Sequence, residues 1–440
     1  MNAGHAPAHS NPKEIMDVRI EKLIYGGEGL GHEGGQTVFV PFVLPGETVS
    51  VRAVERRKKF VRGRIEQIVT PAPERVAAPC PHFTVCGGCH YQHIPYETQL
   101  THKTEILRET LRRMGRVEWT GAIHTHSSPP FGYRNRAQWK VRPAGEAVGI
   151  GYFRAGSSAL CAVEECGVLS PLLAKTLDAL RGMIRDAALP AALLREVEAF
   201  ADHADEKILL AASFNKFDGS PGKMAEAFRA AIPWTESLLL HESSRDRFQL
   251  DGPGFLDYSV GEIALRVGHL SFFQVNRHLL SEMVQHVVGT EEGALALDLY
   301  SGVGLFSVPL ARRFARVVAV ESNEAAARDL EANATRHGGE IQVVNADVQK
   351  FLSACPDAPD LVVVDPPRAG LEKEIIADLL RIAPRQIAYL SCDPSTLGRD
   401  LGLLTAADAA PGYDIAEIRL FDVFPQTYHI ETLVRLMKRA

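Results

Sequence analysis

Three residues in the last eighty positions have types and settings suited to covalent chemistry. Cys392 closes an apolar run in "YLSCDPSTLGRD" (Tyr389 to Asp400). A cysteine after such a run is ordinarily a small core hydrophobe. The polar residues around this one instead put the thiol at a strand end, where its thiolate can act as a nucleophile. Asp365 ends another apolar run in "VVVDPPRAGL". Pro366 and Pro367 donate no backbone hydrogen bond, so the carboxylate and nearby carbonyls stay open to a ligand. Arg368 beside them is a candidate for a phosphate. Glu431 lies in "FPQTYHIETLVRL" (Phe424 to Leu436), which is expected to be a last strand. His429 and Glu431 would share one face of it. Glu431 is a candidate general base, with pairing to Arg435 or Lys438 as the plainer role.

A second group suits a nucleotide. "LDLYSGVGLFSVPLA" (Leu297 to Ala311) reads as strand, glycine turn and helix start. Gly302 and Gly304 allow a sharp turn and close approach of a ligand. The third glycine of a dinucleotide fingerprint is missing, since Ser307 takes its place. NAD is therefore a poor fit, and an adenosine-bearing ligand such as S-adenosylmethionine a better one. Glu321 follows Asp298 by twenty-three residues, where an acid accepts from ribose hydroxyls. Asp347 ends the next run, within reach of an adenine amino group.

These residues need a common edge, and the hydrophobic pattern supplies one. "ALALDLY", "RVVAVE", "IQVVNAD", "LVVVDPP" and "QIAYLSC" are five apolar runs separated by helical stretches. Such runs form a parallel sheet covered on both faces, with ligands beyond the carboxyl ends of the strands. Earlier in the chain the style differs. Val18–Leu23, Thr37–Pro41, Thr48–Val54 and Phe60–Ile68 are short runs between glycine turns, as in a small β-barrel. "VTPAPERVAAP" is a proline-rich connector, and Leu100, Ile106, Leu107, Leu111 and Met114 mark a helix over about 95–114. The expected division is a tail at 1–13, a barrel at 14–71, a central α+β domain at 72–265 and an α/β domain at 266–440.

Cys80, Cys86 and Cys89 are crowded between connector and helix, a metal pattern rather than a disulfide framework. Spacing does not choose between zinc and an iron–sulfur cluster, and His82, His90 and His93 are further possible zinc ligands. Net charge is −6, which argues against a large nucleic-acid surface. Locally, however, "RAVERRKKFVRGR" (Arg52 to Arg64) holds seven basic residues against Glu55. That is either a solvated face or the footprint of a phosphate backbone. "YRNRAQWKVR" (Tyr133 to Arg142) interleaves cations with Tyr133 and Trp139, as for stacking on a single strand. No signal peptide or eighteen-residue apolar stretch is evident, so a cytoplasmic protein without membrane contact is expected.

Taken together, "FFQVN" (Phe272 to Asn276), "DLYSGVG", "DPPRAGL", "SCDPSTLGRD" and "TYHIETL" resemble the RNA uracil-5-methyltransferases. The N-terminal barrel resembles the TRAM domain. The fold so implied is a Rossmann-like S-adenosylmethionine methyltransferase domain with an OB-like TRAM barrel and a central iron–sulfur-binding α+β domain. The resemblance implies methyl transfer to C5 of a uridine through a covalent bond from Cys392 to C6, with Glu431 taking the C5 proton. It implies that Gln274, Tyr300, Glu321 and Asp347 line the donor pocket and that Asp365 holds the uracil edge or the donor. Phe272 would stack on the flipped base. It also implies a [4Fe–4S] cluster on Cys80, Cys86, Cys89 and Cys166, with Cys161 a competitor for the fourth place. Many relatives carry Asn where Leu305 stands and Cys where Ser301 stands, which puts one donor contact in question. The RNA is expected to be 23S rRNA rather than tRNA, and the enzyme a monomer. A non-catalytic RNA-binding protein and an iron–sulfur oxidoreductase are the competing readings.

Overall fold

Alternating Val and Ile residues build the first element group of the computed structural model, which describes residues 15–144, 147–186, 190–356 and 358–439. The tail expected at 1–13 lies outside the described residues. Strands β1 (Ile15–Leu23), β2 (Glu28–Glu33), β3 (Gln36–Pro41), β4 (Thr48–Arg56) and β5 (Phe60–Thr70) close a barrel in the order β1-β2-β3-β5-β4. Val18, Ile20, Val38, Val40, Val49, Val51 and Val61 fill it, each alternate position pointing inward as the pleat requires. β2 has no such alternation. Its inward places are Gly29 and Gly31, where a Cβ would stand 2.3 Å from the Val43 side chain and the Arg19 carbonyl oxygen. A full side chain does not fit, so the strand is invisible to hydrophobic periodicity. The basic stretch lies on β4 and β5. There Arg52 pairs with Glu66, while Arg57, Lys58 and Lys59 are exposed.

The described residues through Glu109, with Gln426–His429, form one compact unit, and Thr110–Pro425 with Ile430 onward form another. Within the first, buried Glu47 accepts from Arg75 at 2.6 Å and from the amides of Leu44 and Ala72. Burial alone would raise this carboxyl. The bonds from Arg75, Leu44 and Ala72 outweigh it and hold the group below the ordinary carboxylate range. Helix α1 (Tyr96–Gly115) buries Leu100, Ile106, Leu107 and Leu111, but Met114 is 54% exposed.

In the second unit, β6 (Ile123–His126) is followed by β7 (Arg136–Ala144), β8 (Ala147–Phe153), β9 (Leu160–Ala162), β10 (Leu194–Ala201), β11 (Ile208–Phe214), β12 (Thr235–Glu242) and β13 (Arg247–Asp251). The last seven form one sheet, ordered β13-β12-β11-β10-β7-β8-β9, against which α2 (Pro171–Arg185) and α3 (Pro221–Ala231) pack. This corrects the stacking role expected for Tyr133 and Trp139, which are fully buried. Trp139 sits on β7, an interior strand, and its indole donates to the Tyr152 hydroxyl. The cations beside it pair with β10, Arg136 with Glu198 and Lys140 with Glu196. The hairpin β14 (Phe255–Val260) and β15 (Ile263–Gly268) follows.

The five apolar runs become the parallel strands β16 (Gly293–Leu299), β17 (Phe314–Glu321), β18 (Ile341–Asn345), β19 (Leu361–Val364) and β20 (Gln386–Ser391). Helices α4 (Leu280–Val288), α5 (Ser307–Leu310), α6 (Glu324–His337), α7 (Val348–Ala354), α8 (Lys373–Ile382) and α9 (Pro394–Leu404) punctuate them. With β21 (Tyr413–Phe421) and β22 (Glu431–Lys438), the sheet order is β18-β17-β16-β19-β20-β22-β21-β6. Strand order reverses at β16, whose neighbours are β17 and β19, and that opens a crevice at the carboxyl edge. β6 joins this sheet although it lies far upstream in sequence. The strand expected from Phe424 begins only at Glu431, so His429 shares no strand face with Glu431. Gln426 has φ +67°, incompatible with an extended strand, and its carbonyl accepts from the His90 and Tyr91 amides. The last turn of α1 packs on α9, where a Cβ on Gly402 would meet the Gly115 carbonyl oxygen at 2.6 Å.

Candidate active site

Every residue of β20 is buried, and the strand stops at Ser391 because α9 begins almost at once. Asp393 caps that helix, accepting from the amides of Ser395 at 2.8 Å and Thr396 at 3.2 Å, with Pro394 in the first turn. A capping aspartate and N-terminal proline explain the polar "CDPS" locally. They also bring Cys392 out of the sheet to a half-buried place at its edge. β22 runs antiparallel to β20 with Ser391 opposite Thr432. The next pair outward is Cys392 and Glu431, so backbone register sets the thiol against the carboxyl.

Asp400 stabilises this corner. Its buried carboxylate accepts from the Tyr389 hydroxyl at 2.7 Å, the Leu371 amide at 2.8 Å and Arg399 at 2.7 Å. Arg399 also donates to the Ala369 and Leu371 carbonyls, and Thr396 to the Arg368 carbonyl. The "DPPRAGL" loop is thereby tied to α9, and the Arg368 side chain hydrogen-bonds the Cys392 sulfur. Asp400 had no assigned role in the sequence reading, although it closes the "SCDPSTLGRD" motif.

The electrostatics are those of a crowded acidic pocket in which, among the described residues, Arg368 supplies the opposing charge. Burial, then the Glu431 charge, push the Cys392 thiol up to about 11, while Arg368 pulls it down. Burial and then Asp365 hold Glu431 well above the ordinary carboxyl range, again opposed by Arg368. Asp365 is raised by burial and by Asp298. Asp298, raised to about 7 by burial against hydrogen bonds from Ser307, completes a row of three carboxyls.

Beyond Asp298 lies the glycine turn. Tyr300, Gly302 and Gly304 have φ of +61°, +55° and +91°. A Cβ at Gly304 would come within 2.5 Å of Leu330, whereas one at Gly302 would meet nothing within 4 Å. Gly304 is thus required by packing, and Gly302 faces open space where a ligand can approach. Glu321 ends β17 and accepts from the Gly302 amide at 2.8 Å and the Asn323 amide at 2.6 Å. Asp347 caps α7 through the Lys350 amide and, with Tyr300, Pro367 and Gly370, lines a cleft of about 500 Å³. Burial and the Asp347 charge raise the Tyr300 phenol to about 12. Asp298 Oδ1 and Ser301 Oγ are buried here with no protein hydrogen-bond partner, the kind of orphaned group a bound nucleoside satisfies. Leu305 belongs to the hydrophobic core.

The "FFQVN" segment divides its roles. Phe272 is 67% exposed, Phe273 is core and Gln274 is buried. Asn276 fixes the segment, donating to Ser128 Oγ at 2.9 Å and the Val423 carbonyl at 3.1 Å.

Cys80, Cys86 and Cys89 occupy consecutive turns of the first unit, each half-buried and each a thiol rather than half of a disulfide. The Gly88 amide points at Cys86 Sγ at 3.4 Å, a contact suited to a thiolate ligand. Of the histidines, His93 is buried, bonded through Nε2 to the Val43 carbonyl and packed on Phe83. In the second unit Cys166 accepts from the Tyr152 hydroxyl at 3.8 Å, and Cys161 is buried in β9 opposite Tyr152.

Residues 95–439 match the family model described as tRNA (Uracil-5-)-methyltransferase. The chain belongs to that family. Residues 10–65 match the TRAM domain. The 23S rRNA (uracil(1939)-C(5))-methyltransferase RlmD of Alkalilimnicola ehrlichii is 32% identical over 98% of both chains. The RlmD of Pseudomonas aeruginosa strain UCBPP-PA14 is 32% identical over 94% of this chain and 92% of its own. Among solved structures, the Pyrococcus abyssi tRNA (uracil-54, C5)-methyltransferase in complex with S-adenosyl-L-homocysteine superposes with a TM-score of 0.76. It is 28% identical and covers 96% of this chain and 100% of its own. As a member of the uracil-5-methyltransferase family, the chain is an S-adenosylmethionine-dependent RNA-modifying enzyme. No helix of its described residues is long and apolar enough to cross a membrane.

Proposed function

We propose that this enzyme methylates C5 of one uridine in 23S rRNA, with Cys392 as nucleophile and Glu431 as base. The pairing of Ser391 with Thr432, which sets Cys392 against Glu431, carries this reading. Uracil C5 is a poor nucleophile. When the Cys392 thiolate bonds to C6, the C5–C6 π electrons move toward the C4 carbonyl and make C5 nucleophilic. S-Adenosylmethionine, when bound, supplies the electrophilic methyl group that C5 takes up. Glu431 then accepts the C5 proton. The electrons of that C–H bond restore C5=C6, and the C6–S bond breaks to release the thiolate. A carboxyl whose proton affinity is raised by burial suits this second step. Arg368 favours the thiolate in the first. Glu321 and Asp347 would hold the ribose and adenine of the donor, Tyr300, Gly302, Gly304, Gln274 and Asp365 its remaining surface, and exposed Phe272 would stack on the extruded base.

The relatives named for 23S rRNA, aligned over almost the whole chain, favour that RNA over tRNA. The family resemblance, rather than the cysteine spacing, favours a [4Fe–4S] cluster over zinc on Cys80, Cys86 and Cys89, with Cys166 as the fourth ligand that the same resemblance implies. The chain is proposed to act as a cytoplasmic monomer. Mapping 5-methyluridine in cellular RNA with and without the gene tests the target. Loss of one 23S rRNA site supports the reading, and loss of a tRNA site alone refutes the choice of RNA. Wild-type turnover by Cys392→Ala would sink the mechanism.

A further inference from the structure

We propose that the enzyme carries a divalent-metal site, zinc by its donor set, formed by His126, Glu282 and His286 at the far edge of the catalytic sheet. Glu282 and His286 are four residues apart on α4 and so project from one face of that helix. His126 is the last residue of β6. One ligand atom from each of the three lies within 4.8 Å of the others. His126 Nδ1 stands 2.7 Å from Glu282 Oε1, and the two imidazole centroids are 4.7 Å apart. Bonds of about 2.0–2.1 Å require these atoms to draw closer, which rotation of the exposed Glu282 and half-buried His286 side chains would supply.

The His126 ring is not loose. It stacks on Phe421, centroid to centroid 4.4 Å and 12° from parallel, and Phe421 is its direct partner in the β6–β21 ladder. Arg419 Nη1 lies 3.4 Å from His126 Nε2 and also donates through Nη2 to Glu417 at 2.8 Å. A metal on Nδ1 leaves Nε2 protonated, so the Arg419 contact to His126 is given up and the guanidinium keeps Glu417. Two imidazoles and one carboxylate match zinc and its near neighbours rather than calcium or magnesium, which take oxygen ligands. His286 also lines a wide cleft of about 1210 Å³, leaving room for a water as fourth ligand.

The position suggests a clamp. β6 has four residues and pairs only with β21 among the described strands, so it is the weakest strand of the sheet. A metal shared between β6 and α4 would cross-link that edge. It lies two strands from Glu431 in the row Glu431–Phe421–His126, about 10 Å away.

Cobalt titration of the full-length purified protein tests this. One equivalent of Co²⁺ should give weak visible bands without sulfur-to-metal charge transfer, which separates this site from the cysteines. His286→Ala should abolish the bands, Glu282→Gln should weaken binding at least tenfold, and Cys86→Ser should leave them intact. Zinc should also raise the melting temperature of the wild type but not of Glu282→Gln, a substitution at an exposed position that spares the fold. Thiolate bands alone, bands unchanged in His286→Ala and Glu282→Gln, or no binding at 100 µM Co²⁺ would each overturn the proposal.

Discussion

Among the described residues, Arg368 is the cation that acts on both Cys392 and Glu431, and its removal can be followed without any RNA. With the thiol pushed up to about 11, only about one Cys392 in 1,000 is thiolate at pH 8, against about one in ten for an ordinary value near 9. Alkylation by iodoacetamide, which consumes thiolate, should therefore be about 100-fold slower at Cys392 than at an ordinary thiol. It should rise about tenfold per pH unit between 8 and 10. Arg368→Met deletes a charge-assisted hydrogen bond to sulfur, worth about 1.5–3 kcal/mol where water is excluded. Cys392 keeps partial solvent access, so the effect is discounted to about one pH unit. The sign is upward, because the guanidinium favours the thiolate. The variant should alkylate about tenfold more slowly than wild type at pH 8. The rates are read from the Cys392 peptide by mass spectrometry after timed labelling. A wild-type midpoint at or below 9, or equal rates in the two proteins, would refute the claim that Arg368 offsets the burial of this thiol.

Glu431→Gln should accumulate a protein–RNA adduct that survives a denaturing gel, since Cys392 can attack C6 while the C5 proton has no acceptor. An adduct no more abundant than in wild type would exclude Glu431 as the base. Glu321→Ala removes the acceptor of the Gly302 amide and the proposed ribose contact, and should raise the calorimetric Kd for S-adenosylhomocysteine about tenfold. Arg75→Met strands the buried Glu47 carboxylate and should cost about 3 kcal/mol in urea unfolding at pH 7. Because the folded Glu47 value is depressed, wild type loses this stabilisation as pH falls below the ordinary carboxylate range, so the gap between the proteins should narrow as the solution is acidified. Gly402→Ala drives a methyl toward the Gly115 carbonyl and should cost about 1–3 kcal/mol. Gly182→Ala, whose nearest contact is 3.7 Å away in helix α2, should be neutral or stabilising in the same urea unfolding.

What could be read in advance follows from where the information lies. The five parallel strands were legible because burial on both faces leaves an unbroken apolar run. Cys392 was legible because the residues after it obey local helix-start rules. β2 was not, since glycines replace the inward side chains of a tightly closed barrel. β6, "IHTH", has no apolar signature and is defined by long-range pairing with β21. Tyr133 and Trp139 were misread because interleaved rings and cations look alike whether the rings face solvent or a sheet interior. Burial decides it. Electrostatic coupling among Asp298, Asp365 and Glu431 likewise arises only when three strands bring carboxyls together that are separated in sequence.

The ladder that sets Cys392 against Glu431 has a practical corollary. Between the two run α9, a turn-rich segment over 406–412 with exposed positions, and β21. A break engineered in that segment would yield two pieces, one with the thiol and the other with the carboxyl, and neither able to turn over alone. Methylation would then return only when the β21–β22 hairpin inserts between β20 and β6. The enzyme thus contains the parts of a complementation reporter, in which strand insertion is read out as a covalent mark on RNA.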